Sequence, residues 1–251
     1  MKASIKAFWE AQPCGAKYAT APEGSMHFYE QVAQERYRRQ PWMAEMFWSR
    51  YLYNQQVLEI GCGLGTDALE WAKTKAVVTA VDLTTTAITQ TIKRFATYPF
   101  WDVTAKVADA EMLYFASNTF DIVYSWGVLH HTPDTQKAIS EACRVLKPGG
   151  TLYLMLYHRR SIDYIIGTIL RPYRTAWETY GEAWIRKTDG HSPVGKCYTK
   201  RQVMRMLRGM EGVRFRLVDP VRPKWPNWLN WINQKFLMRF LGSYLVAEAK
   251  K

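Results

Sequence analysis

Three glycines at alternate positions, Gly61, Gly63 and Gly65, follow directly on the apolar run Val57-Leu58-Glu59-Ile60. Glycine at that spacing lets a ligand approach the backbone more closely than any Cβ permits. A helix starting behind the glycines would add unpaired N–H groups and partial positive charge. Glu59 is an acid inside the run, and Cys62 a small residue inside the loop. A carboxylate in that place is awkward beside a pyrophosphate and suits a ligand that carries an ammonium group. Two further acids complete a connected set. Asp82 ends a second apolar run, where a carboxylate accepts hydrogen bonds from a ribose diol. Asp109 ends a third, where it can accept from an adenine amino group while the Ala110 N–H faces a ring nitrogen. Alternatively, Asp109 caps the turn that follows it. Last come His130 and His131, in the stretch Leu129-His130-His131-Thr132-Pro133-Asp134. Imidazoles titrate near neutral pH and can serve as base toward an oxygen or nitrogen nucleophile. A positioning or loop-shaping role is the other reading of the pair.

These residues need strands that end at one edge of a sheet. An apolar run, a glycine turn and the helical stretch at 68–73 make the first half of a βαβ unit. Strands are expected over 76–81, 103–108, 120–125 and 151–157, with helices over 84–98 and 135–146 between them. Pro99 ends the first of these helices, and Lys147-Pro148-Gly149-Gly150 turns the chain after the second. A further helix is expected over 199–210, a sixth strand over 213–218 and a last strand over 243–249. Ahead of the glycine loop, residues 1–24 carry Phe8, Trp9, Gly15 and Tyr18 in an Ala-, Pro- and Gly-rich stretch. A helix then begins at Ser25, with Phe28, Tyr29, Val32 and Tyr37 near one face, and Pro41 breaks it.

The 251 residues suit one domain with embellishments, and 48% hydrophobic with 22% charged content is ordinary for a globular chain. The net charge of +12 is dispersed rather than gathered into runs. It admits anionic small molecules, nucleic acid or an anionic membrane as partners. Cys14, Cys62, Cys143 and Cys197 lie far apart without a C-x-x-C pair, so neither a metal site nor a disulfide framework is expected. The first residues lack the apolar core of a signal peptide, and no apolar run approaches the ~18 residues of a membrane span. A cytoplasmic protein is the expectation.

The loop is G-x-G-x-G, with Thr66 where a dinucleotide fingerprint has its third glycine. With Val81-Asp82-Leu83, Ala108-Asp109-Ala110, the Leu-His-His-Thr-Pro-Asp loop and Arg144-Val145-Leu146-Lys147-Pro148-Gly149-Gly150 in that order, the chain resembles the class I S-adenosylmethionine-dependent methyltransferases. It resembles the small-molecule group that includes the ubiquinone and menaquinone enzymes. The match is strongest over residues 55–157. It implies an α/β, Rossmann-like, doubly wound seven-stranded sheet with an antiparallel last strand, a helical N-terminal lid and a helical insertion after the fifth strand. The corresponding segments of a single domain are 1–54, 55–157, 158–198 and 199–251. By the resemblance, Glu59, Gly61, Cys62 and Gly63 hold the methionine part of the cofactor. Asp82 binds the ribose, Leu83 packs on the adenine, and Asp109 and Ala110 read its edge. Ser125 lies near the reactive methyl group. Read from the residues alone, the aromatics of the helix from Ser25 either pack into the core or the segment lids the cofactor, with Tyr18, Tyr29, Arg36 and Tyr37 as candidate contacts, Tyr29 and Arg36 foremost. The cofactor is S-adenosylmethionine, the product S-adenosylhomocysteine, and no metal is implied.

Substrate choice is expected in the remainder. The insertion carries Tyr164, Arg171, Tyr173, Arg174, Trp177 and Trp184, which would suit an aromatic or carboxylate-bearing acceptor unless its aromatics pack inward as a plain helical cap. From Asn227, Trp228, Trp231, Phe236 and Phe240 have helical spacing, with Lys235 and Arg239 between them. Packing of these aromatics on the sheet is the expectation; peripheral membrane contact through 222–241 is the alternative. The leading reading is methyl transfer to an oxygen, nitrogen or carbon of a small aromatic or acidic metabolite. Next stands a lipid or quinone methyltransferase at a membrane surface. A nucleic-acid methyltransferase is not expected, because the Asn/Asp-Pro-Pro-Tyr motif of the amino-directed base modifiers is missing. A binding protein without catalysis would need neither the open 125–134 loop nor the elaborate insertion. The accepting atom and the oligomeric state stay open.

Overall fold

β1 (Gln56–Ile60) and β4 (Phe120–Trp126) are buried along nearly their whole length, as strands covered on both faces must be. They lie at the centre of the sheet, parallel and paired through Val57↔Ile122, Leu58↔Val123 and Glu59↔Tyr124. Outward on one side run β2 (Val77–Asp82) and β3 (Val103–Val107), and on the other β5 (Leu146–His158), β8 (Tyr244–Lys250) and β7 (Glu211–Val218). β8 is antiparallel to both of its neighbours. Strand order reverses between β1 and β4, the place where an open α/β sheet leaves a crevice at its carboxyl edge. The structure, a computed structural model, describes residues 1–251 except 48–50, 99–102, 171–177, 189 and 223–225. Pro99, Arg171, Tyr173, Arg174 and Trp177 therefore lie outside the described residues.

The helices sit where their caps and apolar faces put them. α4 (Thr66–Lys73), α5 (Thr85–Ala96) and α6 (Thr135–Val145) are the crossovers, and α9 (Lys200–Met206) precedes β7. The Thr84 and Asp134 side chains accept from the backbone N–H groups of Ala87 and Lys137, each an N-cap worth about 1 kcal/mol. One face of the sheet packs around Leu129, Ile139, Leu146, Leu152 and Leu245. The other packs around the aromatics Phe47, Trp71, Tyr124, Trp126 and Tyr153.

Four features depart from expectation. Residues 2–11 form α1 (Lys2–Ala11), whose Glu10 carboxylate accepts from the Thr85 and Thr86 N–H groups at the start of α5. The expected Lys147–Gly150 turn is a register shift inside the longer β5, between Phe120↔Leu146 and Ile122↔Thr151. Seven strands form the main path as expected, and a two-residue β6 (Cys197–Tyr198) adds to them by pairing with the end of β5. Finally, α10 (Asn227–Ile232), a π-helical turn (Asn233–Leu237) and α11 (Met238–Leu241) turn their aromatics outward rather than onto the sheet. α2 (Met26–Arg39) and α3 (Ala44–Phe47) precede the sheet, and α7 (Ile162–Leu170) and α8 (Tyr180–Thr188) form the insertion. Gly167 and Gly181 let α7 and α8 meet closely, since a Cβ on either would fall 2.3 Å from Trp184 Cβ or 2.6 Å from the Tyr164 ring.

Candidate functional site

The three strand tips at the reversal point carry Glu59, Asp82 and Asp109 to one cavity of about 720 Å³, within the range of small-molecule sites. The glycine loop forms its floor. Gly61 has φ +82°, and a Cβ there would lie 2.2 Å from Val128 Cγ2, so the residue is dictated by backbone angle and by the neighbouring loop. At Gly63 a Cβ would meet nothing within 4 Å and would occupy cavity space instead. Cys62 also lines the cavity; burial pushes its thiol pKa well up, so it stays an uncharged wall residue.

Glu59 is buried, and its Oε2 has no hydrogen-bond partner. Burial, and next the charge of Asp67, raise its pKa well above the carboxylate range. A buried carboxyl with one unpartnered oxygen beside a glycine cradle fits the ammonium of a methionine moiety. Asp82 faces the same space with Oδ2 accepting from the Gly63 N–H at 3.1 Å and Oδ1 from the Thr84 N–H at 2.9 Å, which fixes the carboxylate's orientation. Leu83, Asp109 and Ala110 line the next stretch of wall. Asp109 caps its own turn, the alternative foreseen for it, with Oδ1 accepting from the Glu111 N–H, while Oδ2 accepts from Lys2 Nζ at 2.6 Å, a pairing the sequence did not suggest. Glu59, Gly61, Cys62, Gly63, Asp82, Leu83, Asp109 and Ala110 thus converge on one cavity, and their donor and acceptor types suit S-adenosylmethionine.

Behind the floor stands a hub that was not foreseen. Asp67 is buried and accepts from Arg36 through both carboxylate oxygens, from Tyr37 Oη at 2.9 Å and from Tyr124 Oη at 2.6 Å. Burial pulls the Arg36 pKa down, but the Asp67 carboxylate outweighs it and holds the guanidinium charged. Arg36 reaches the cavity wall in this paired state. Only the position of Asp67 in the first turn of α4 hinted at this, because its partners come from α2 and β4.

Three expected site residues stand outside the cavity. Tyr29 is buried in α2, with its hydroxyl donating to Gln90 Oε1 at 2.6 Å, and it serves the α2–α5 contact. Ser125 faces into the sheet and donates to the Ile60 carbonyl at 3.1 Å; Trp126, Gly127 and Val128 form the wall in its place. His130 is fully buried, its ring 3.9 Å from that of Tyr157, and neither ring nitrogen has a hydrogen-bond partner. Burial, then the neighbouring His131, push its pKa well down, so it is a neutral packing residue rather than a base. His131 does line the cavity. Its Nδ1 bonds the Val194 carbonyl, which makes that nitrogen the donor and Nε2 the acceptor of the ring.

The far half of the cavity is aromatic: Trp9, Trp126, Tyr157 and Tyr244, with Tyr157 and Tyr244 stacked 6.0 Å apart and Trp9 5.3 Å from His131. Of the insertion, Asp163 and Ile185 reach this wall among the described residues. Tyr164 and Trp184 instead pack within the α7–α8 pair, the inward-packing outcome. Of the lysines and arginines in the lining, Lys2, Arg36, Arg39 and Arg222 are each paired with a carboxylate, while Lys17 Nζ lies 5.3 Å from the Tyr18 ring centroid. Among the described residues no group of three or more His, Cys, Asp or Glu is arranged to hold a metal ion.

Residues 58–154 match the methyltransferase domain family. In sheet order and glycine loop the structure is similar to the class I S-adenosylmethionine-dependent methyltransferases. An uncharacterized methyltransferase of Mycobacterium tuberculosis is 34% identical over 124 residues, which cover 47% of this chain and 61% of that protein. A ubiquinone biosynthesis O-methyltransferase of Coxiella burnetii is 32% identical over 114 residues, 45% of this chain and 48% of that protein. Among solved structures, the geranyl diphosphate C-methyltransferase of Streptomyces coelicolor, in complex with Mg2+, geranyl diphosphate and S-adenosyl-L-homocysteine, is similar with a TM-score of 0.63 at 15% identity. That alignment covers 99% of this chain and 97% of the other, and it is a likeness of fold. The matched sequence spans half to three fifths of the curated relatives' length.

Proposed function

We propose that the protein transfers a methyl group from S-adenosylmethionine to an oxygen, nitrogen or carbon nucleophile of a small aromatic molecule. The observation that carries this reading is one cavity whose near half is the glycine–acid cradle and whose far half is a ring of aromatics. S-adenosylmethionine, when bound, supplies a methyl group on a sulfonium that is already an activated leaving group. What remains for the chain is alignment and exclusion of water, the work of proximity and orientation. Glu59 neutralises the ammonium and Asp82 fixes the ribose, while Asp109 and Ala110 meet the adenine edge. Residues 2–11 act as a lid, tied to Asp109 by Lys2 and to the start of α5 by Glu10. Trp9, Trp126, Tyr157 and Tyr244 orient a flat acceptor, and His131 Nε2 is the base for a nucleophile that must lose a proton. Because four of the five lysines and arginines in the lining already hold carboxylates, an aromatic acceptor is better supported than an acidic one.

A second reading, a lipid or quinone acceptor met at a membrane surface, draws on the outward aromatics of residues 227–241. Calorimetric titration with S-adenosylhomocysteine tests the cofactor half of the proposal. The wild-type protein should bind one equivalent, and Glu59→Gln should weaken binding about tenfold or more, the cost of an uncompensated buried ammonium contact. Unaltered affinity in Glu59→Gln would remove Glu59 from the site.

A further inference from the structure

The helix over residues 227–241 is built inside out. Its fully buried positions are polar, Asn230 and Asn233, with Leu229, Ile232 and Leu237 half-buried beside them. Asn230 exchanges two hydrogen bonds of 2.9 Å with the Arg222 backbone, Asn233 Nδ2 donates to Asp219 Oδ2 at 2.6 Å, and Gln234 Nε2 donates to the Asp219 carbonyl at 2.8 Å. Its outer side is aromatic: Trp228 is 64% exposed, Trp231 57%, Phe236 58% and Phe240 76%. A helix that served only to cover a core would present the opposite pattern.

The π turn Asn233–Leu237 makes the outer side continuous. In an unbroken α-helix, Phe236 would overshoot Trp228 by roughly 80° and Phe240 by roughly 120°. The extra residue that a π turn accommodates takes back about one residue's rotation, and both rings return to the tryptophan side. The Trp231 and Phe236 rings meet edge to face at 5.9 Å. Lys235 and Arg239 are exposed on the same helix. Between Pro220 and Ala247 the sequence has no Asp or Glu, while Arg222, Lys224, Lys235 and Arg239 fall within that span. Lys224 lies outside the described residues.

We infer that this face docks the protein on an anionic phospholipid surface. Exposed tryptophan and phenylalanine on one side of a helix, flanked only by cations, match the headgroup–acyl boundary in both polarity and charge. The buried polar positions hold the helix to the body of the protein, so docking requires no rearrangement of the core. The inference stands apart from the acceptor's identity, because the helix and the cofactor cradle are separate structures.

Co-sedimentation of the full chain with phosphatidylcholine vesicles, alone or enriched in phosphatidylglycerol, tests it. Pelleting should require the anionic lipid and should fall away at about 1 M salt, where the screening length is about 3 Å. Replacing Trp228, Trp231, Phe236 and Phe240 together by Ser should lower partitioning at least about tenfold, and Lys235→Glu with Arg239→Glu should do the same at low salt. All six side chains are exposed, so the variants should keep the wild-type melting temperature and S-adenosylhomocysteine affinity. A second measurement is quenching of tryptophan fluorescence by brominated lipid. It should drop in Trp228→Phe with Trp231→Phe while binding persists. Equal pelleting with neutral vesicles would overturn the inference. So would unchanged pelleting of both variants, or a dimer in light scattering that the Ser variant dissolves, which would make the face a self-contact.

Discussion

At the scale of single residues, the two adjacent histidines separate most sharply. His131→Asn should cut turnover by on the order of 10²-fold or more where the acceptor must lose a proton, with cofactor affinity kept. His130→Asn should leave the rate per folded molecule near wild type and lower stability instead. A comparison of kcat and melting temperature for the two variants decides it, and equal kcat losses would return His130 to the site. Glu59 gives the pH dependence. Its carboxyl, raised by burial and by Asp67, stays protonated in the ligand-free protein above the ordinary carboxylate range. An ammonium ligand needs it ionised, so binding releases a proton. Affinity should therefore climb as pH rises through that raised pKa and fall on acidification, and Glu59→Gln should flatten the slope. The cradle residues were legible in the sequence because their types and strand-end positions leave few alternatives. Tyr29, Ser125 and His130 were misplaced because a sequence says that a residue is near a strand end or on a helix but not which side of the wall it faces. One step along the 3₁₀ turn Leu129–His131 separates a buried ring from a cavity-lining one.

At the scale of elements, α1 is, on the proposed reading, the element that governs access to the cofactor. Its ties run from the partly exposed Lys2 to the partly exposed Asp109 and the buried Glu111, and from the partly exposed Glu10 to the start of α5, so most of them lie near the surface. Such surface pairs are worth roughly 0–1 kcal/mol apiece, which suits an element that must open. Removing residues 1–11 should speed S-adenosylhomocysteine release by about tenfold or more in stopped-flow measurements and change its equilibrium affinity less. Unchanged release would show that α1 is no lid. The helix was not legible in the sequence because its cap, Met1, makes no side-chain hydrogen bond and its anchors lie about a hundred residues away in Asp109 and Glu111. The helix over 227–241 was legible as a helix, but its orientation was not. Periodicity assigns aromatics to the inside, and only the buried Asp219 network with Asn230, Asn233 and Arg222 reverses that assignment.

At the scale of the whole molecule, strand order and crossovers followed from alternating apolar runs and capped helices, and they bring three acids from three strands to one crevice. The cavity's second half was less legible. Its aromatic wall is assembled from α1, β4, β5 and β8 rather than from the insertion, and no local pattern announces a surface drawn from four distant segments. On the proposed reading this wall takes a small flat acceptor, whereas the curvature and breadth of a macromolecule would need an open groove.

The most direct test of that account is transfer itself. The purified protein is incubated with methyl-labelled S-adenosylmethionine and an extract depleted of nothing but its own S-adenosylmethionine, and the label is then divided among protein, nucleic acid and small molecules. Label is expected in the small-molecule fraction, strongly reduced in Glu59→Gln and dependent on His131 where the acceptor is protonated. Label in protein or nucleic acid, or cofactor binding with no transfer to any fraction, would contradict that expectation.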